Sequence, residues 1–437
     1  MYFTKTQILA ILAFTSAVVA SPVASVKKVK HYGTRVVRLE THTEKDIAVI
    51  KSLVDDLYLD TWTHGYQVNS HVDVAIPPSA QKEFDRISKE AGLKMETMHE
   101  DLGASIEEES PATVSLMSTR SAAQAQAGPD PNWFTAYHSY GYHQTYLQSL
   151  VSAYPNNAEI VVSGQSTEGR EIVGIHIWGK NKGKTAVVLH SNVHAREWIT
   201  SKVTEYFSLK LLQGTAPNAT APVPSMLDKY DYFIFPVVNP DGFVYSQTTD
   251  RMWRKNRLTL SSNSCIGTDV NRNWDYKWSS SGGASTNPCA QDFKGLAAGD
   301  TAEYRGLSAF IKNLVNTVGV KLFIDYHSYS QLILSPWGYT CGTPAPDEAE
   351  HMRVMKIWEA GMRRRYKTSF TYGPSCTTIY PTTGDSTDYT YGALNITHSY
   401  SVELRDTGKY GFVLPANQII PSGEEAFDGF QDLIRAL

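Results

Sequence analysis

A mostly parallel α/β sheet preceded by a small α+β unit is the architecture that these 437 residues predict. Two observations carry this. From about residue 132 onward, short apolar runs alternate with helical stretches, the pattern of strands joined by helical crossovers. Before that, a polar, small-residue interval cuts the chain in two. Its residues Ser118 to Gly128 read STRSAAQAQAG and are followed by Pro129-Asp130-Pro131, a linker composition. With 42% hydrophobic and 19% charged residues the chain can bury a core. A net charge of -4 excludes a broad basic nucleic-acid surface as the default reading.

Taken in order, the chain opens with Lys5 and the 13-residue apolar run Ile8–Ala20. That run is short of the ~20 residues a membrane span needs. Val18 and Ala20 set small residues ahead of Ser21, so residues 1–20 read as a secretory signal peptide. No later stretch is long and apolar enough to predict a membrane helix. Asn218-Ala219-Thr220 and Asn395-Ile396-Thr397 are sequons compatible with secretion. Arg35–Leu39 alternates as a strand, and Glu44–Leu57 has helical apolar spacing. Val72–Ile76 is a strand stopped by Pro77-Pro78, Ala80–Ala91 a helix, and Met95–Met98 a short strand. Arg120, in the linker, is a candidate protease site. Beyond it, Thr185–His190, Asp231–Val238 and Val320–Tyr326 are the apolar runs expected as core strands, with Ala302–Val315 a helix among them.

Chemistry concentrates at strand ends. His194 and Glu197 are three residues apart, which on a helical turn presents both to one metal. His190 is one turn from His194 and leaves the ligand choice ambiguous at this point. His327 closes a second apolar run. Two His and one Glu make a three-ligand zinc set with a position left open for catalysis. Arg251, Arg254, Lys255 and Arg257 read by themselves as a basic surface run. Ser166 sits in Gly164-Gln165-Ser166-Thr167-Glu168-Gly169, whose spacing does not fit the serine-hydrolase G-x-S-x-G elbow.

Five blocks together resemble the metallocarboxypeptidases of the pancreatic carboxypeptidase A/B family. They are His194–Thr200, Asn271–Asp275, His327–Gln331, Ile379-Tyr380 and Glu403–Gly408. The resemblance implies a mixed, mostly parallel twisted sheet with helices on both faces, spanning 121–437. It implies that 21–120 is an inhibitory, antiparallel-sheet pro-domain covering the cleft. One Zn2+ is implied, on His194, Glu197 and His327, with Asp269 orienting His194. Glu403 is implied as general base for a zinc-activated water, and Arg254 as the cation that shares the oxyanion charge. Asn271 and Arg272 match a clamp for the substrate's terminal carboxylate, and Tyr380 a residue that closes over it. Arg196, Ser328 and Tyr329 match further substrate contacts.

Thr387 occupies the position that is acidic in enzymes removing Lys or Arg. A threonine cannot neutralise a cation, and Leu334 and Gly338 suit an open apolar pocket, so aromatic and aliphatic C-terminal residues are expected. Asp385, and Ser375 in place of a bulkier apolar residue, would widen that preference if they face the pocket. The resemblance pairs Cys265 with Cys289 and Cys341 with Cys376. The implied partners are peptide C-termini, the chain's own pro-domain and an activating endoprotease, with no nucleic acid or membrane and a monomer as the simplest state. The competing readings are an inactive binding protein on the same fold, a zinc amidohydrolase of acylated amino acids, and a serine hydrolase.

Overall fold

A computed structural model describes residues 28–63, 65–109, 129–261 and 263–437. The leader at 1–20 and the linker with Arg120 lie outside these residues. The first unit comprises β1 (Arg35–Thr41), α1 (Glu44–Asp56), β2 (Asp60–Thr61), β3 (Ser70–Ile76), α2 (Pro78–Ala91), β4 (Met95–His99) and α3 (Leu102–Glu109). Its strands form an antiparallel sheet in the order β2-β3-β1-β4. α1 starts at a reciprocal cap: Thr43 Oγ1 accepts from Asp46 N, and Asp46 Oδ2 accepts from Thr43 N at 2.8 Å. The Pro77-Pro78 pair both ends β3 and starts α2, since proline at a first helical position forfeits no hydrogen bond.

Alternation along the strands sends residues to two different faces. Val37, Leu39, Val72 and Val74 pack with Ile50, Leu53 and Phe84 of the covering helices. Val36 and Ala75 point the other way. With Trp62 and Leu102 they bury against Met252, Tyr329, Phe412 and Val413 of the second unit. The small sheet is therefore sandwiched between its own helices and the larger unit.

That unit comprises α4 (Tyr140–Ala153), β5 (Ala158–Gln165), β6 (Glu171–Ile177), β7 (Ala186–Ser191), α5 (Trp198–Gln213), α6 (Val223–Lys229), β8 (Asp231–Phe235) and α7 (Pro240–Thr248). It continues with α8 (Ala302–Thr317), β9 (Val320–Ser328), β10 (Leu332–Ser335), α9 (Glu348–Tyr366), β11 (Thr371–Pro374), α10 (Ser375–Thr378), α11 (Ser386–Gly392), β12 (His398–Leu404) and α12 (Ile419–Ala436). The sheet order is β11-β10-β12-β9-β7-β8-β6-β5. Its centre, β12-β9-β7-β8, is parallel throughout, and antiparallel pairs begin at β10 and at β6. β7 shows why the central runs read as continuously apolar. Val187 and Leu189 join the core under α5, α9 and α12, while Ala186 and Val188 join the one under α8 and α11.

Two disulfides, Cys265–Cys289 and Cys341–Cys376, cross-link the second unit. No helix among the described residues is long and apolar enough to cross a membrane.

Candidate active site

The cleft lies where open α/β sheets place ligands, beyond the carboxyl ends of adjacent parallel strands. After β7 the chain turns through Asn192, whose φ of 55° a short polar side chain tolerates. It then makes a tight turn in which Glu197 N donates to His194 O (3.1 Å), and α5 begins at once at Trp198. His327 stands at the end of β9, and in register beside it on β12 stands Glu403. The sequence thus delivers imidazole, imidazole and two carboxylates from neighbouring strand ends.

His194 Nδ1 lies 2.8 Å from Glu197 Oε1, and His327 Nδ1 lies 3.3 Å from Glu197 Oε2. The two Nδ1 atoms are 3.1 Å apart, and one donor atom from each of the three residues falls within 4.8 Å of the others. The far side of each ring faces a carboxylate: His194 Nε2 meets Asp269 Oδ1 at 3.2 Å, and His327 Nε2 meets Asp325 Oδ2 at 3.3 Å. A proton held on each Nε2 leaves both Nδ1 lone pairs aimed at one point with the Glu197 carboxylate. That arrangement fits a cation, and two imidazoles with one carboxylate are a zinc donor set. His190, the competing ligand candidate, is buried against Phe235 and Phe323 and is not part of the group.

Asp269 serves two neighbours. Its Oδ1 faces His194 and accepts from Asn271 N (2.9 Å), while Oδ2 accepts from Arg254 Nη2 (2.8 Å) and Nε (3.1 Å). Burial by itself would raise the Asp269 carboxyl, but Arg254 and His194 outweigh it and hold it well below the usual carboxylate range. The basic run of the sequence is accordingly not a surface feature: Arg251 and Arg254 are buried. At Glu403 the balance goes the other way. Removal from water, against the pull of His327 and with Glu197 adding to it, pushes the carboxyl up to about 8.

Asn271, Arg272, Ser328, Tyr329, Tyr380, Asp385 and Glu403 line the same cleft as the three-residue group. Arg272 Nη1 donates to Asn271 O (2.9 Å), and its Nε has no partner among the described residues. Two positions differ from the expectation. Thr387 is off the cleft wall, buried and hydrogen-bonded to Ser401 (2.5 Å), and Ser401 is the residue that lines the cleft. The first turn of α11 directs residue 387 behind that wall while its cap, Asp385, faces the cleft. Gly338 is not on the wall either; a Cβ there would meet Thr382 Oγ1 at 2.1 Å, so glycine lets Thr382 and Asp385 approach. In this closed form Arg196 is fully buried, 3.8 Å from Asp60 of the first unit and stacked 4.1 Å from the Phe412 ring centroid.

The first unit closes the cleft. Trp62, Thr63, Gly65, Ser70 and His71 line it opposite the metal group. Tyr329 OH donates to the buried carboxylate of Asp73 (2.5 Å), which Arg38 also holds through two 2.7 Å hydrogen bonds. At the unit's last turn Glu109 takes a two-pronged ion pair from Arg251, Nε to Oε2 at 2.8 Å and Nη2 to Oε1 at 2.6 Å. Asp60, Asp73, Glu109, Asp325 and Ser401 carried no sequence signal that was read. Asp325 offered one: an acid inside an apolar run, two residues from His327 and so on the same strand face.

Residues 143–429 match the family model described as zinc carboxypeptidase, and residues 37–109 match the carboxypeptidase activation peptide. The chain belongs to the zinc carboxypeptidase family. It is a peptide hydrolase made with an activation peptide. Among similar proteins is a metallocarboxypeptidase A-like protein of Trichophyton verrucosum (strain HKI 0517), 42% identical over 90% of this chain and 91% of that one. Another is metallocarboxypeptidase A of Trichophyton equinum, 41% identical over 95% of each. Among solved structures, thrombin activatable fibrinolysis inhibitor superimposes with a TM-score of 0.82 at 25% identity, over 92% of this chain and 98% of that one. Carboxypeptidase A from Helicoverpa armigera does so with 0.78 at 26%, over 93% and 98%.

Proposed function

We propose that this chain is a secreted, monomeric zinc carboxypeptidase, latent until cleaved near Arg120, that removes aromatic and aliphatic C-terminal residues. The observation that carries the reading is one cleft lined by a two-His, one-Glu group, a carboxylate base and an Asn-Arg pair. The catalytic domain is taken as 121–437, the pro-domain as 21–120 and the leader as 1–20. Secretion is supported by the leader's composition and by the two disulfides, which suit an oxidising compartment. Both sequon asparagines, Asn218 and Asn395, are exposed and are candidate glycan sites.

His194, Glu197 and His327 would hold the ion, with Asp269 orienting the first. When bound, zinc supplies a Lewis acid and lowers the pKa of a water to near neutrality. The remaining steps fall to the chain's own groups. Arg272 and Asn271 receive the substrate's terminal carboxylate; the unpartnered Arg272 Nε supports this, because a buried guanidinium N–H seeks an acceptor. Tyr380 closes over the bound terminus. Glu403 takes a proton from the attacking water at a carboxylate oxygen and passes it to the leaving amine. Arg254, held by Asp269, stabilises the oxyanion. Arg196, Ser328 and Tyr329 contact the substrate further along its chain.

Side-chain preference follows from the pocket lining. Leu332, Leu334 and Ile379 offer apolar surface, and Ser375, Thr378, Thr382 and Ser401 add hydroxyls. Besides Glu197 and Glu403, Asp385 is the acid on the cleft lining. Its Oδ1 already accepts from Asp388 N (2.8 Å), as the cap of α11, and its Oδ2 accepts from Thr382 Oγ1 (2.8 Å). A carboxylate so engaged is a poor receptor for a substrate cation. The test is release of the terminal residue from matched blocked dipeptides ending in Phe, Leu, Lys and Asp, after cleavage near Arg120, with and without a zinc chelator. Chelator-sensitive release of Phe and Leu is expected. Faster release of Lys than of Phe would overturn the side-chain preference, and no release at all would favour an inactive binding protein.

A further inference from the structure

Both imidazoles of the metal group rest on carboxylates, but the two supports differ in origin. Asp269 comes from a separate turn and is shared with Arg254. Asp325 comes from β9 itself, two residues before His327, so pleating sets both side chains on one face. Asp325 Oδ2 lies 3.3 Å from His327 Nε2 and accepts from Ser386 Oγ at 2.6 Å. Ser386 also donates its backbone N–H to Asn271 Oδ1 at 2.9 Å. That bond turns the Asn271 amide so that its Nδ2 faces His327 Nε2, at 3.3 Å. An NH2 group cannot accept from an imidazole N–H. Asp325 is therefore the acceptor that fixes the His327 tautomer with Nδ1 free for a metal.

We infer that Asp325 is a positioning residue for His327, and that Ser386 links this pair to the Asn271 end of the cleft. The inference rests on the zinc carboxypeptidase reading and extends it to two residues outside the expected site. Asp325 is an unusual residue for its place in the core. It is buried among the apolar residues of β9, and its Oδ1 has no partner among the described residues. Leaving that oxygen unsatisfied costs folding free energy. Its hydrogen bonds go to a metal-group histidine and to the serine that orients Asn271. Ser386 is held in place because Asp385 caps the helix that begins with it.

The test is zinc affinity of the full-length chain, measured by competition with a chelator, together with the absorption spectrum of the cobalt-loaded protein. Asp325→Asn is expected to weaken zinc binding by about 10–100-fold. The cobalt bands should shift. Ser386→Ala keeps the backbone bond to Asn271, and a weakening of about 3–10-fold is expected. A folded Asp325→Asn protein that binds zinc within twofold of the parent would overturn the inference. Should that variant not fold, Ser386→Ala decides in the same way: unchanged zinc affinity overturns the inference, and the stated weakening supports it. A parent chain that fails to bind zinc tightly would instead sink the carboxypeptidase reading itself.

Discussion

Breaking the Glu109–Arg251 pair should unmask the uncleaved protein. Glu109 is the last residue of α3, its carboxylate is 1% exposed, and both prongs of the Arg251 guanidinium reach it within 2.8 Å. Removing one partner of a buried ion pair costs about 3–5 kcal/mol. Arg251 would keep hydrogen bonds to Arg196 O and Phe412 O and stay stacked on Trp198, so the lower figure applies. About 3 kcal/mol corresponds to a shift of roughly 150-fold in the docking equilibrium of the first unit. Glu109→Ala is therefore expected to raise peptide release by the uncleaved chain by up to that factor, until the fully open rate is reached. The assay follows hydrolysis of a blocked Phe dipeptide while gels confirm that the linker is intact. Glu108→Ala, one residue away and exposed, is the control and should change nothing. A latent rate for Glu109→Ala within twofold of the parent would refute the claim that this pair holds the cleft shut.

Arg254→Met should lower kcat of the cleaved enzyme by about 10²–10³ with a smaller effect on KM, as loss of an oxyanion donor does; equal losses in both would point to a binding role. Joint replacement of Cys265 and Cys289 by serine should destabilise the protein by about 3–4 kcal/mol, judged from the 24-residue separation, and denaturant melts would show it. His398 is 4% exposed with its pKa pushed down to about 4 by burial, helped by nearby Lys321. Its contribution to stability is full above pH 6.5 and is lost as pH falls towards about 4, amounting to about 3 kcal/mol at most. Stability of His398→Gln should fall less steeply over that window than the parent's, and identical pH profiles would contradict this.

Regular elements with a strong internal period were legible in the sequence. Val320–Tyr326 and Ala302–Val315 lie within a strand and a helix that run only two residues further. The apolar run Asp231–Val238 outlasts its strand by three residues, because Pro236 cannot sit in a central strand. The hairpin of β5 and β6 was not read at all. It lies at the sheet edge, where β5 is only half buried and its apolar pattern is correspondingly weak. The metal group was legible because ligand spacing is a local property, and the wider cleft because the family blocks preserve order. What the sequence could not display was contact between units. Val36 beside Val37, and Ala75 beside Val74 and Ile76, do signal strands apolar on both faces. Nothing in them says that the second face belongs to Phe412 and Tyr329.

That second face also explains how tight closure can remain reversible. Docking leaves Arg196 with no exposure and with none of its three guanidinium nitrogens hydrogen-bonded among the described residues. Its nearest carboxylate oxygen, on Asp60, is 3.8 Å away, and burial pushes its pKa down to about 10. A buried cation without hydrogen bonds opposes the docked state, and the stack on Phe412 offsets only part of that. Arg251, which donates to Arg196 O (2.8 Å), has a full set of acceptors and favours docking. The closed form is thus a balance between one satisfied guanidinium and one unsatisfied one. If the linker is cut and the first unit departs, as proposed, Arg196 would regain acceptors from water or substrate, whereas Arg251 would lose only Glu109. On this balance closure would hold while the uncut chain keeps the local concentration of the first unit high, and departure of that unit would relieve Arg196.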